Sequence, residues 1–430
     1  MKTCTTLLNA TVEGYRNINK DSLDFGELTT LVSTNSYGKS NLMNAIDFAV
    51  DFIHAAQPMK RAMMSYYFCV PLNTGTAGKN FRAGFQFAMN LSGGRYIVGY
   101  GFSFEWVRDG GGGCRIVDEW LTAKEDKKNQ KANTLIRRGE NALYKASPEG
   151  RCTAPIRVKD DELIINRLML EENLYYHELV EQVNFVQVYV ERHFDTVGLF
   201  SQGNISRFED ALELKSIYSI PETVFQLKQQ HPDRYELLMD AFLQLFPNIQ
   251  SIDVREIDLV KQHSLEVPEK LPFTLKDKVY SMYVQDVNLN QPININSMSD
   301  GARRVFLMLT ITVIAELEGI SLIAIEEPEN SVHPGLLQSY LSVLAQLAGN
   351  CRILIASHSP YIVQYVNTED IYIGKPNSDG LADFARVKSA KVNALLRDSI
   401  NEGMSVGDYI FDLLSGGEDD AAVLCGYLEG

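Results

Sequence analysis

The lysine of Tyr37-Gly38-Lys39-Ser40-Asn41 stands where a turn-rich loop opens a helix, and a helix start offers unpaired N–H groups and a positive dipole end to an anion. A lysine so placed can reach the β- and γ-phosphates of a nucleoside triphosphate. The Ser40 hydroxyl can bind Mg²⁺, and Asn35, Ser36, Tyr37, Gly38 and Asn41 complete the cradle. A Gly-Lys-Ser/Thr tripeptide arises by chance on the order of 0.2 times in a chain this long, so the strand–loop–helix setting carries the reading. Further on, the apolar run Leu322 to Ile325 ends in Glu326-Glu327-Pro328-Glu329. In that pattern the first carboxylate, Glu326, holds Mg²⁺, usually through water, and the second, Glu327, polarises an attacking water. Ser357-His358-Ser359-Pro360 follows another apolar run, Arg352 to Ala356. Its histidine lies 31 residues after Glu327, the position of a switch residue that contacts a γ-phosphate. Ser299-Asp300-Gly301 precedes a strongly apolar helix, where Ser299 or Asp300 caps the first turn and the N–H groups again suit phosphate.

Each element also has a plainer reading. Glu326 and Glu327 could be solvated acids at a strand end, His358 a capped surface residue, and Ser299-Asp300-Gly301 a helix cap alone. Two departures from the usual pattern stand out. Ser33 occupies the place of the first loop glycine, and Glu326 replaces an aspartate, its extra methylene suiting an outer-sphere contact better than direct coordination. His333, in Ser331-Val332-His333-Pro334, reads as structural, orienting its loop.

The elements that must position these residues are legible as patterns. Thr29 to Ser33 is a short β-prone run, and Leu42, Met43, Ile46, Ala49, Val50 and Ile53 form one helical stripe after the loop. Residues 81–106 alternate: Phe85, Phe87, Met89 and Leu91 share one face, and Tyr96, Val98, Tyr100, Phe102, Phe104 and Trp106 share another. Ser92-Gly93-Gly94-Arg95 between them predicts a hairpin turn. Gly110 to Gly113 is a flexible connection, and the charged stretch Lys124 to Arg138 is expected as loop or exposed surface. Between 160 and 250 helical spacing dominates, as in Tyr235, Leu238, Met239, Phe242, Leu245 and Phe246, punctuated by Pro221, Pro232 and Pro247. The expected organisation is an N-terminal half over 1–155, a helical insertion over 156–250 and a C-terminal half over 251–430.

A chain of 430 residues can hold a large core and two lobes. Its formal charge of −15 argues against a protein that passively coats nucleic acid. Six scattered cysteines (Cys4, Cys69, Cys114, Cys152, Cys351, Cys425), without metal-like spacing, read as free thiols of a reducing cytosol. Met1 to Gly14 lacks the apolar stretch of a secretory signal. Val305 to Ile325, interrupted by Glu316 and Glu318, reads as a buried helix and core strand rather than a membrane span. A soluble, cytoplasmic protein without membrane contact is expected.

These motifs, with Val12-Glu13-Gly14-Tyr15-Arg16-Asn17-Ile18 before them, resemble the ATP-binding-cassette ATPases of the SMC-like and OLD-like group. The Glu-Glu-Pro-Glu-x-x-x-His-Pro and Ser-Asp-Gly variants are typical of the OLD-like branch. The resemblance covers about residues 1–120 and 290–370. It implies an α/β fold, an ABC-type P-loop ATPase head with a mixed sheet, an antiparallel β subdomain and a mainly helical insertion. It also implies ATP and Mg²⁺ as cofactors and a homo-oligomer, at least a dimer, whose ATP sites are shared: Lys39 and the acidic strand of one subunit, Ser299-Asp300-Gly301 of another. Size and motif variants are most similar to the ATPase subunits of PARIS antiphage systems. That likeness implies a ring-like assembly, a separate Toprim-type nuclease as effector and a phage-encoded trigger protein. The competing classes are an OLD-like nuclease, a DNA-repair or chromosome-type motor and a nucleotide-binding scaffold without turnover. The 72 residues after His358 show no acidic strand-end pattern, which argues against the nuclease, and residues 160–250 are too short and proline-broken for the motor's coiled coil.

Overall fold

The structure, a computed structural model, describes residues 5–108, 112–191, 196–200, 214, 219–258, 278–376 and 379–429. Cys4, part of the Gly110–Gly113 connection and parts of the expected helical insertion lie outside the described residues. The chain divides into two compact units. The first comprises 1–190, 319–327 and 350–430, and the second 191–318 and 328–349; residues 156–190, read from sequence as insertion, thus belong to the first unit.

Strands β1 (Thr5–Tyr15), β2 (Ile18–Asp24) and β3 (Leu28–Val32) lead into α1 (Lys39–His54) and the short α2 (Gln57–Met63). Then come β4 (Phe81–Leu91), β5 (Gly94–Glu105), β6 (Arg115–Glu125), β7 (Asn133–Arg138), β8 (Ala142–Tyr144) and β9 (Ala154–Pro155). Helices α3 (Ile164–Leu168) and α4 (His177–Asn184) precede β10 (Val188–Glu191). The next stretch holds α5 (Thr196–Phe200), α6 (Ile220–Gln230), α7 (Pro232–Leu245), β11 (Ile249–Asp258), β12 (Lys278–Asp286), β13 (Ile293–Asn294) and α8 (Asp300–Glu318). The chain continues through β14 (Leu322–Glu326), α9 (Pro334–Ala348), β15 (Arg352–Ser357), α10 (Pro360–Tyr365), β16 (Ile371–Gly374) and β17 (Phe384–Arg386), and closes with α11 (Val392–Asn401), α12 (Val406–Ser415) and α13 (Glu418–Tyr427).

The first unit is built on two sheets. One is six-stranded, in the order β10-β14-β15-β3-β16-β17, with β14, β15, β3 and β16 parallel and β17 antiparallel. Leu322, Ile323, Ile325, Ile353, Leu354 and Ile355 are buried throughout, as strands covered on both faces require. The other sheet is eight-stranded and antiparallel, β2-β1-β4-β5-β6-β7-β8-β9. Here the two alternating rows read from sequence do not face opposite ways. A two-residue Ser92-Gly93 turn pairs Leu91 with Gly94, and that register sets Phe81 opposite Phe104, Phe85 opposite Tyr100 and Phe87 opposite Val98. Directly opposed residues point to the same side, so both rows fill one core face.

That face grips α1. Phe52 stacks on Phe104 with centroids 4.8 Å apart, Phe48 meets Phe81 at 5.2 Å, and Trp106 meets Phe104 at 4.8 Å. Leu42, Met43, Ile46, Ala49, Val50 and Ile53 are all buried, so the helix that opens at Lys39 cannot shift without opening an aromatic core. A second difference from the sequence reading is that only 126–132 of the charged stretch lies between strands. Leu135 and Ile136 are buried in β7, where their paired apolar side chains outweigh the surrounding charges.

In the second unit α8 is apolar around nearly its whole circumference, and Val305 to Ala315 are buried without exception, as such a helix demands. Phe306 meets Phe242 of α7 edge to face at 5.1 Å. Pro221 and Pro232 sit in the first turns of α6 and α7, where a missing N–H costs nothing. Glu316 is held by Arg234 at 2.9 Å. Among the described residues no helix is long and apolar enough to cross a membrane.

Candidate nucleotide site

β3 ends at Val32, and the loop to α1 is bent by two left-handed residues, Ser36 with φ 60° and Gly38 with φ 135°. Gly38 is required twice over: its φ strains any L-side chain, and a Cβ there would meet the Ala382 methyl at 2.8 Å and the Asn17 amide at 3.0 Å. The Asn17 amide donates to the Tyr37 carbonyl at 2.8 Å, Asn41 donates to Asn17 Oδ1 at 2.7 Å, and the Arg16 guanidinium donates to Asn41 Oδ1 at 2.8 Å. The Tyr37 hydroxyl donates to the Lys375 carbonyl at 2.7 Å, and its ring meets Phe384 edge-on at 5.2 Å. The loop is therefore clamped from both flanks, while Thr34, Asn35, Ser36 and Ser40 remain exposed.

Lys39 itself is 6% exposed, not the lightly packed surface lysine that a loop position suggests. Its ammonium donates to the Ser33 carbonyl at 3.0 Å, the Ser33 hydroxyl at 3.1 Å and the Thr34 carbonyl at 3.3 Å. It also lies 3.2 Å from His358 Nδ1. Ser33, at the position where a glycine is usual, is thus a ligand of the lysine.

The parallel register brings the acidic strand into line. Glu326 of β14 lies beside Ala356 of β15, which lies beside Leu31 of β3, so the three strands end together. Glu327 turns off the strand end with φ 47°, and its N–H donates to the Ala356 carbonyl at 2.8 Å. A non-glycine residue in that region stores on the order of 1 kcal/mol, a cost met where surrounding contacts over-determine the conformation. Glu327 Oε1 is 3.9 Å from His358 Nε2. His358 is thus flanked by Lys39 on one ring nitrogen and Glu327 on the other.

Burial pushes the His358 pKa down and the Lys39 ammonium adds to the effect, while Glu327, the Ser33 backbone and Glu326 pull the other way. The net shift leaves the imidazole neutral at pH 7. As pH falls below the ordinary histidine value of about 6.5, the unfolded chain takes up this proton before the folded one does, so the contact loses stability on the acid side. Lys39→Met removes the neighbouring positive charge. The His358 Hε1 resonance of the apo variant should titrate at higher pH than in the parent chain, and an unchanged or lower NMR midpoint would sink this geometry.

Ser299, Asp300 and Gly301 belong to the second unit and form their own cluster. The Ala302 N–H donates to Ser299 Oγ at 3.3 Å, which makes Ser299 the cap of α8. The Thr196 hydroxyl donates to Asp300 and is the main cause of its lowered pKa, with Arg303 3.5 Å away. A Cβ on Gly301 would sit 2.0 Å from the Ser331 carbonyl, so the helix start packs against that loop with no room for a side chain. His333 Nδ1 accepts from the Gly335 N–H at 3.1 Å and caps α9. Among the described residues no group of three or more His, Cys, Asp or Glu could hold a metal by itself. Asn17 and Arg16, which brace the loop, were absent from the sequence-derived site although they lie in the Tyr15-Arg16-Asn17 stretch; nothing in their spacing marks a hydrogen bond to residues 37 and 41.

A loop that leads from β3 into the helix opened by Lys39, an acidic strand end two strands away and an antiparallel sheet packed on that helix give an α/β fold arranged as an ABC-type P-loop ATPase head, with a mainly helical inserted segment. Two family models match parts of the chain. Residues 180–364 match "AAA domain, putative AbiEii toxin, Type IV TA system", and residues 6–61 match "Protein of unknown function (DUF2813)". No curated protein matches. Similar solved structures include the SMC head bound to the C-winged helix domain of ScpA, at 12% identity over 90% of this chain and 99% of that one, with a TM-score of 0.49. The SMC head domain from Thermotoga maritima matches at 10% identity over 89% and 99%, TM-score 0.44. The recombination mediator protein RecF-ATPrS of the RecFOR pathway matches at 11% identity over 89% and 98%, TM-score 0.39.

Proposed function

We propose that this chain binds and hydrolyses ATP with Mg²⁺ in sites completed by a second copy of itself, and that the resulting assembly controls a separate toxic effector in antiphage defence. The observation that carries the first part is the buried Lys39 ammonium, held between the loop oxygens and His358 with Glu327 on the histidine's far side. A triphosphate fits these residues. The exposed loop 34–36 and the first turn of α1 offer N–H groups, and Lys39 exchanges carbonyl partners for phosphate oxygens. Glu327 orients and deprotonates water, and neutral His358 donates to the γ-phosphate. Mg²⁺, when bound beside Ser40 and Glu326, would neutralise phosphate charge.

The exposed, capped start of α8 supports a shared site, because its N–H groups and dipole suit the γ-phosphate of a neighbour's nucleotide. The match to a toxin–antitoxin-type domain family supports the defence reading. In it, ATP state sets which surfaces the homo-oligomer, a dimer or larger ring, offers to a Toprim-type nuclease, and a phage-encoded trigger releases that nuclease, as in PARIS systems.

A mixing experiment tests the shared site. Ser299→Asp keeps a good helix cap and adds a charge that repels phosphate, whereas any side chain at Gly301 would collide with Ser331 and confuse folding with function. Ser299→Asp and Lys39→Met are each expected to lose ATP turnover alone. Equimolar mixtures should recover about a quarter of parental turnover, since random pairing leaves that share of composite sites intact. Zero recovery in assemblies shown to be mixed would refute sharing. The same preparations with Mg²⁺ or Mn²⁺ should leave DNA, tRNA and ribosomal RNA uncut. Cleavage abolished by a point change in this chain would make it a nuclease instead.

A further inference from the structure

At the far end of the antiparallel sheet lies a cavity of about 450 Å³, within the size range of small-molecule sites. It sits beside the Leu91–Gly94 end of the β4–β5 hairpin, whereas the opposite end of β4 pairs with Glu13, close to the Arg16 and Asn17 that brace the phosphate loop. Nine residue steps along β4, from Arg82 opposite Glu13 to Leu91, separate the two ends by roughly 30 Å at about 3.3 Å each, so the cavity is no part of the nucleotide site.

Two lysines and two carboxylates line it. Lys145 lines it, is 8% exposed, and among the described residues its ammonium has no hydrogen-bond or ion-pair partner. Lys124 lines it as well, also without such a partner among the described residues. The two carboxylates in the wall are already engaged. Glu178 takes the Ser92 N–H at 3.1 and 3.0 Å on its two oxygens, and Glu125 is paired with Lys127 and accepts from Gln130 at 3.4 Å. Glu178 keeps its charge but has both oxygens on Ser92, and Glu125 is shared with Lys127, so Lys145 is the low-exposure charged group of the wall left to meet an incoming anion.

The wall also supplies flat surfaces. Tyr96, Tyr175 and Tyr176 line it, and the last two rings meet edge to face at 4.8 Å. The Tyr176 hydroxyl donates to the Leu135 carbonyl at 3.2 Å, which fixes its ring. Tyrosine rings present rigid apolar faces at little entropic cost.

We propose that this cavity binds a small organic anion carrying a planar ring, with Lys145 neutralising the anionic group and the tyrosines flanking the ring. The probe is 2-naphthoate, titrated by fluorescence into the full chain under saturating ATP and Mg²⁺ so that the phosphate loop cannot contribute. One site per chain is expected. Lys145→Met should weaken it by at least about tenfold, the scale of one charge-assisted contact, while Lys145→Arg keeps it. Neutral 2-naphthalenemethanol should bind weaker by a similar factor. No binding at millimolar 2-naphthoate, equal binding of the neutral analogue, or indifference to Lys145→Met would each overturn the proposal. Should Lys145→Met fail to fold, Tyr175→Ala, 43% exposed at the rim, provides the second variant: it should fold and bind more weakly, and unchanged affinity would count as refutation.

Discussion

Lys39→Met is expected to weaken ATP binding by about 100-fold or more, the loss of two charge-assisted contacts to phosphate. Methionine is the better choice than alanine because Lys39 is 6% exposed and its stem is packed. Alanine would open a gap as well as remove the charge. Even so, the Ser33 and Thr34 carbonyls lose a donor, and about 1–3 kcal/mol of stability should go with it. Calorimetric titration with ATP, beside a thermal melt showing a folded variant, checks both parts. Near-parental affinity in a folded Lys39→Met chain would remove the phosphate site from this loop.

Glu327→Gln should leave ATP affinity within a few-fold of the parent and slow hydrolysis by about 10²–10⁴, the usual contribution of a positioned general base. The amide keeps the shape of the carboxylate, and the left-handed backbone at φ 47° is held by the Ala356 contact, so the site should not rearrange. Because turnover stops after binding, ATP should trap the assembled form, visible as a shift to larger mass in light scattering. Single-turnover kinetics separate this from Glu326→Gln, which should weaken Mg²⁺ dependence. Identical behaviour of the two variants, with nucleotide lost from both, would contradict the division of labour between these neighbours.

The contrast between Lys39 and its surroundings shows how far the sequence reaches. That Lys39 opens a helix was legible in the stripe Leu42, Met43, Ile46, Ala49, because period and loop chemistry are local properties. That its ammonium lies 3.2 Å from a histidine more than three hundred residues later was not, because nothing local records which strands pair. The same holds for Asn17, whose amide holds the Tyr37 carbonyl across a chain reversal.

By itself, then, the sequence determined the elements that repeat a period: the strand runs ending at Glu326 and Ser357, the buried α8 and the β4–β5 hairpin. Side-chain alternation and helical spacing follow from backbone geometry and are written residue by residue. Tertiary structure alone decided which side of the antiparallel sheet the two aromatic rows share, since a two-residue turn sets the register and a shift of one residue would reverse it. It decided that Asn133–Arg138 is a strand despite its charges, because Leu135 and Ile136 have a core to enter. It decided the burial of Lys39, the bend at Glu327 and the placing of Lys145 without a partner for its ammonium among the described residues, all of which depend on what distant segments leave open or close off around a charged group.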